Sequence, residues 1–283
     1  MSTTWLITGT SSGLGREMTR QLLAEGHRVA ATLRRPEALD DLRAEYGDRL
    51  WVAALDVTDT LAVRDVVDRA FADLGTIDVV VNNAGYGVFA SVEEASDDQI
   101  ERVLRTNVIG SMQVVRAALP HLRAQASGRI LQVSSAGGQA TYPNFGYYHA
   151  SKWAIEGFSQ TVAAEIAPFG IGLTIVEPGA TQTGFSTGLQ TAPVMPEYDA
   201  GPAGDTRRAI ERGDFAIAGD AVKVAREIIR STSVTPAPLR LVLGRDSYDD
   251  VLRQLRARVE QIEPQREVAY STMLDSAAPC AAQ

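Results

Sequence analysis

The chain has 283 residues, 45% of them hydrophobic and 22% charged, an ordinary globular balance with enough length to bury a sizeable core in one α/β domain. Its net charge of −8 comes without a dense Lys/Arg cluster, which argues against nucleic acid or an anionic membrane as partner and leaves a small molecule. Cys280 is the only cysteine, so an intrachain disulfide framework and a Cys-rich metal site are excluded; with no secretion signal or bilayer-length apolar run, a cytoplasmic protein is expected.

Trp5–Thr8 reads as a short buried strand, followed by a Gly-rich turn and a segment with Leu14, Met18 and Leu22 at helical spacing. The alternation continues with strand Arg28–Leu33, helix Pro36–Tyr46, strand Leu50–Leu55, and a helix whose stripe is Val63, Val66, Val67, Ala70, Phe71 and Leu74. Strands Asp78–Val81, Arg129–Val133, Gly172–Glu177 and Leu239–Leu243 follow, with helices over Ser96–Ala124 and Tyr147–Ala167. Such alternation implies right-handed crossovers and a doubly wound parallel sheet, a Rossmann-like single domain over residues 1–275. Between Pro178 and Ala216 the pattern weakens into a long functional loop with room for one helix. Ser247–Ile262 reads as an amphipathic helix that covers the pocket or joins a subunit contact, and residues 276–283 as a disordered tail.

In Thr8-Gly-Thr-Ser-Ser-Gly-Leu-Gly15, glycines 9, 13 and 15 let the backbone turn sharply and approach a pyrophosphate, and the following helix offers free N–H groups and a positive dipole end. Gly9, Ser11, Ser12, Gly13, Leu14 and Gly15 are therefore assigned to a dinucleotide. A plain tight turn is the alternative, and the placement between strand and helix tells against it.

Tyr148 and Lys152 are four apart and share one helical face, which continues through Ile155, Ser159, Val162 and Ile166. A lysine beginning an apolar stripe needs a reason, since a buried unpaired charge is costly. A free phenol has a pKa of ~10, and an adjacent ammonium lowers it, so the pair forms a tunable acid/base. Asn107 falls on the stripe Ile100, Val103, Leu104 and Val108, so its amide must find buried partners. His149 points off the Tyr148 face, Tyr147 suits packing, and His27 and His121 are read as surface residues.

The TGxxxGxG spacing, Asn82-Asn-Ala-Gly85, Ser135, Tyr148-His-Ala-Ser-Lys152 and Pro178-Gly179 resemble the short-chain dehydrogenase/reductase family in order and separation, over roughly residues 3 to 245. The spacing differs from the TGxxGxxG of the family's extended branch. The resemblance implies a nicotinamide-dependent oxidoreductase in which Tyr148 moves a proton, Lys152 lowers the phenol's pKa and holds the nicotinamide ribose, and Ser135 rather than Ser134 bonds the substrate oxygen. It implies that Asn107 holds a water in a proton relay, against the plainer reading of a structural hydrogen bond.

On the cofactor side the resemblance assigns Asn82, Ala84 and Gly85, Asp56 and Val57 at the adenine, and Pro178, Gly179, Thr181 and Thr183 at the nicotinamide amide. Asp56 as a cap for the next helix is the alternative. Leu33 stands where an acid would read the ribose hydroxyl of NAD, and Arg34 and Arg35 follow it, so NADP is expected over NAD. Gly137–Phe145, Phe185 and Met195 suggest an apolar pocket with aromatic walls. The expected activity is reversible reduction of a ketone or aldehyde by a homodimer or homotetramer joined through Ser96–Ala124 and Tyr147–Ala167. A non-catalytic NADP-binding redox sensor is the alternative, although it would not need Ser135, Tyr148, Lys152 and Asn107 together.

Overall fold

The computed structural model describes residues 2–186, 188–214 and 217–274; the expected tail 276–283 lies outside them. In chain order the elements are β1 (Thr4–Thr8), α1 (Gly13–Ala24), β2 (Arg28–Leu33), α2 (Asp40–Tyr46), β3 (Leu50–Ala54), α3 (Thr60–Leu74), β4 (Val79–Asn82), β5 (Val88–Phe89), α4 (Asp97–Leu104), α5 (Ser111–Gln125), β6 (Gly128–Val133), α6 (Gly146–Ile166), β7 (Ile171–Pro178), β8 (Gln190–Thr191), α7 (Pro202–Glu211), α8 (Ala221–Ser231), β9 (Arg240–Leu243), α9 (Arg245–Ile262) and α10 (Arg266–Ser271).

Seven parallel strands form the main sheet in the order β3-β2-β1-β4-β6-β7-β9. The period of two along each strand divides the core into two layers. Leu6, Ala30, Val80, Ile130 and Ile175 join one core with Val63, Val67, Val114, Leu122, Val162 and Ile166 from α3, α5 and α6. Their neighbours Ile7, Val29, Val81, Leu131 and Val176 join the other with Met18, Leu22, Val224 and Ile228 from α1 and α8. Burial on both faces explains the continuous apolar runs of the strands.

β1 pairs with both β2 and β4, Trp5 opposite Val29 and Val79, so the connections leave β1 in opposite directions. Beyond the carboxyl ends of β1 and β4 lies the crevice where an open α/β sheet receives its ligands. The Gly-rich turn, Asn82–Gly85, Ser135 and Pro178 all reach this edge.

The predicted helix Ser96–Ala124 is instead three pieces: α4, a π-helical turn over Arg105–Gly110, and α5. Ser96 and Gln99 form the capping box that starts α4. At the far end of the π turn, a Cβ on Gly110 would lie 2.9 Å from the Val57 carbonyl oxygen, so this backbone presses directly on the chain leaving β3. The segment Pro36–Tyr46 begins with a 3-10 turn over Pro36–Leu39 before α2. The long loop contains α7 and the short β8, which pairs with β5, and α8, absent from the sequence reading, follows it behind an Asp220 cap. Among the described residues no helix is long and apolar enough to cross a membrane.

Candidate active site

Gly9 takes φ +71°, and a Cβ there would lie 2.8 Å from the Ala84 Cα, so only glycine fits beneath the chain leaving β4. Thr8 Oγ1 accepts from the amides of Asn83 and Ala84, each at 3.1 Å, and Asn83 Nδ2 donates to the carbonyls of Thr8 at 2.9 Å and Gly9 at 3.0 Å. The Gly-rich turn and the Asn82–Gly85 segment are thus one clamped unit. Asn83 does this work and was not singled out by the sequence, whereas the Asn82 side chain is buried and donates to the Ser111 carbonyl at 3.1 Å. The exposed Ser12 begins α1 without a side-chain cap, which leaves the first amides of that helix for an anion. Thr183 lies over the turn, its Cβ 3.5 Å from where a Cβ on Gly13 would be. A glycine cradle under an uncapped helix start fits a dinucleotide pyrophosphate.

At the end of β2, Arg34 and Arg35 are exposed and enter no ion pair among the described residues. Asp56 is not the cap of α3: Asp59 is, accepting from the amides of Leu61 and Ala62 at 3.0 Å each. The Asp56 carboxyl is exposed; its slight desolvation raises its pKa, but the Thr58 hydroxyl and amide and the Arg34 charge outweigh this and hold it below the usual value. A carboxylate and a free guanidinium therefore face the rim, with Val57 buried beside them.

Tyr148, Lys152 and Asn107 come together under the same crevice. Tyr148 is 8% exposed, with Ser135 beside its phenol; burial pushes the phenol up to about 12, and Ser135 opposes this only in part. Lys152 Nζ donates to the Val133 carbonyl at 3.0 Å and lies 5.7 Å from the centroid of the Tyr148 ring. Burial brings this lysine down to about 8, with the Glu156 carboxylate pulling the other way. Desolvation of the phenol dominates its titration. Asn107 Nδ2 donates to the Tyr86 carbonyl and to Ser151 Oγ, both at 2.9 Å, while its Oδ1 accepts from the Tyr86 amide at 3.1 Å. These are the bonds of the structural reading, and they anchor the π turn to α6. Gly85 joins the two halves, since a Cβ there would lie 3.1 Å from Asn107 Oδ1 and 3.9 Å from Lys152 Nζ.

Ser134 turns away from Ser135 and donates to Glu156 at 2.7 Å, as strand alternation requires. Around Tyr148, the rings of Phe185 at 5.5 Å, His149 at 6.0 Å and Phe145 at 6.3 Å build an aromatic wall. His149 is buried, and burial lowers it to about 4, so it is neutral at physiological pH. Tyr147 packs, its hydroxyl donating to the Val92 carbonyl at 2.5 Å. At the nicotinamide end, the Gly179 amide donates to the Leu243 carbonyl at 2.8 Å, the Ala180 amide to Asp246 at 2.6 Å, and Thr181 Oγ1 to the Gly179 carbonyl at 3.0 Å. α9 therefore braces the rim, with Tyr142 donating to Asp250 at 2.6 Å on the other side of the crevice.

Residues 3–193 match the sequence profile of the short chain dehydrogenases. The chain belongs to the short-chain dehydrogenase/reductase family. Its relatives in this family include the oxidoreductase BOA17 of Botryotinia fuckeliana, 36% identical over 88% of this chain and 91% of that protein. A short-chain dehydrogenase from Streptomyces avermitilis superposes with a TM-score of 0.90 at 36% identity, covering 97% of this chain and all of that one. A serine dehydrogenase solved in a closed form with NADP+ gives 0.71 at 28% identity, covering 85% and 93%. Membership makes the protein an oxidoreductase on a Rossmann-like sheet. Within the family frame the residues expected to act, Ser135, Tyr148, Lys152 and Asn107, share one crevice with the glycine cradle. Glu156 escaped notice, although its position four residues after Lys152 on the same helical face was readable.

Proposed function

We propose that the protein is an NADP-dependent reductase of a ketone or aldehyde, running reversibly toward the alcohol. The observation that carries this reading is the buried Tyr148 phenol, beside Ser135 and one helical turn from Lys152, next to the glycine cradle. The phenol, raised further by burial, holds its proton at neutral pH, the form that a carbonyl acceptor needs. NADPH, when bound, supplies the hydride. Tyr148 gives its proton to the developing alkoxide, Ser135 bonds the same oxygen, and the Lys152 ammonium stabilises the phenolate left behind.

Arg34 reads the 2′-phosphate, which supports NADP: it is exposed and unpaired, and Leu33 offers no carboxylate to a ribose hydroxyl. Gly9, Ser11, Ser12, Gly13, Leu14 and Gly15 hold the pyrophosphate, Asp56 and Val57 the adenine, and Pro178, Gly179, Thr181 and Thr183 the nicotinamide. The aromatic wall of Phe145, Phe185 and Tyr148 favours an apolar or aromatic carbonyl. The working unit is a cytoplasmic homodimer or homotetramer of single domains, with residues 178–216 as the substrate loop.

The test is a spectrophotometric screen of purified protein with NADPH and NADH against varied ketones and aldehydes, with Tyr148→Phe as control. Substrate-dependent loss of NADPH absorbance that the control lacks supports the reading. Binding of neither nucleotide sinks it.

A further inference from the structure

Beneath Lys152 lies a cluster of buried charges that the proton transfer does not use directly. Glu156 sits one turn further along α6 and is 3% exposed. Its carboxylate accepts from Ser134 Oγ at 2.7 Å, from the Gln139 side-chain amide and from the Arg240 guanidinium. The same Arg240 nitrogen also donates to Glu177, which is fully buried in β7 and whose second oxygen has no hydrogen-bond partner. The loop after Ser135 is built against this carboxylate: a Cβ on Gly138 would lie 2.3 Å from Glu156 Oε1 and 2.6 Å from Ser134 Oγ.

Three charged groups from three elements meet here, and Lys152 stands one helical turn from them. Lys152 and Glu156 come from α6, Glu177 from β7 and Arg240 from β9, while Arg258 of α9 reaches the cluster only through Gln139. With every group ionised the quartet is neutral. Arg240 is shared between two carboxylates and cannot cancel both, so a net negative charge is left to face the buried ammonium. A carboxylate serving only as a hydrogen-bond acceptor for Ser134 and Gln139 would be replaceable by an amide. One serving as the counter-charge of Lys152 would not.

We propose that Glu156 is a positioning residue that keeps Lys152 in its ammonium form, and that Glu177 and Arg240 behind it set how much negative charge Lys152 feels. This rests on the reading of Tyr148 and Lys152 as the proton-transfer pair. The direction in which Lys152 titrates agrees with the geometry, since Glu156 opposes the lowering that burial imposes. Burial and the Glu156 charge raise Glu177, with Arg240 opposing them.

The sequence makes a direct test possible, because Lys152 and Lys223 are its only lysines. In protein labelled at lysine side-chain carbons, NMR reports two titrations, and Lys223→Arg assigns them. Glu156→Gln keeps the shape and removes the charge. The Lys152 titration is expected to move down by about one pH unit or more, and the alkaline limb of the kcat/KM profile with it, about a fivefold loss of rate near pH 8 and about tenfold well above it. Arg240→Gln, which uncovers the carboxylates, is expected to move both upward, and it decides alone if Glu156→Gln does not fold. A Lys152 titration unmoved in the folded variants overturns the proposal, as does a loss of rate in Glu156→Gln without that movement. Turnover by Tyr148→Phe would instead remove the proton-transfer reading, and the Lys152 titration would still decide the charge coupling.

Discussion

The two lips of the crevice are built on different principles. The cofactor lip, from Thr8 to Gly85, is made by backbone: glycine at a left-handed φ, amides donating to Thr8 Oγ1, and a helix start left open. The substrate lip, from Pro178 to Glu211, is made by side chains reaching across the chain. Arg207 of α7, largely buried, donates to Glu94 at 2.5 and 2.6 Å and to Ser91 Oγ at 2.9 Å, and Asn144 donates to the Ala203 carbonyl at 2.8 Å. Backbone geometry tolerates few sequences and performs one task. Side-chain geometry can be rebuilt one residue at a time, so it is where specificity can vary while the cradle stays fixed.

The largest effect that would sharpen this contrast is at the chemistry shared by both lips. Tyr148→Phe should lower kcat by roughly 10²–10⁴-fold, while the Kd for NADPH, measured by fluorescence titration, stays near its original value. Retained turnover would break the assignment of Tyr148 as the acid.

Next comes the latch of the substrate lip. Arg207→Met strands Glu94 in the interior and should cost about 3–5 kcal/mol, read as faster hydrogen exchange in α7 with the glycine turn unaffected. Loosening that spread equally to both lips would break the comparison. Acid probes the same latch. Burial raises the Glu94 carboxyl, but the amides of Met195 and Ser91 and the Arg207 charge together hold it below 4.5. A lowered native pKa stabilises the fold fully above that value and is lost as pH falls through the lower one, so protection of α7 should fade below pH 4.5.

A smaller change belongs to the cofactor lip. Arg34→Asp should shift the ratio of kcat/KM for NADPH over NADH by about tenfold or more toward NADH. An unchanged ratio would mean that another cation reads the phosphate. The smallest effect is at His149: neutral above about pH 4, it adds no titration near neutrality, so His149→Phe should leave the shape of the pH profile between 5 and 8 unaltered.

The same contrast explains what the sequence made legible. Parallel strands buried on both faces are apolar throughout, and glycines at fixed spacing mark a turn, so β1, the cradle and the Tyr148–Lys152 face could be read without coordinates. The π turn could not, because it answers to Gly110 meeting the backbone after β3. The latch joins residues 113 positions apart. The charge cluster draws Glu177 and Arg240 from strands whose adjacency only the folded sheet reveals. Asn83 was hidden differently: both asparagines of the motif were visible, but which one faces the turn depends on the strand's pleat.

Gly9 and Gly87 show how differently the lips bear mutation in pairs. A Cβ on Gly9 meets the Ala84 backbone, its Cα at 2.8 Å and its nitrogen at 3.1 Å, atoms that every residue possesses, so no second substitution at position 84 can restore an alanine there. A Cβ on Gly87 meets instead the Leu189 tip at 2.5 Å and the Phe185 ring at 3.0 Å. Those atoms can be moved or trimmed, and Gly87→Ala with Leu189→Ala should recover the stability that Gly87→Ala alone costs, as thermal melts would report. One lip can therefore drift by compensated steps into new pocket shapes, while the other is held by an obstacle that no suppressor removes.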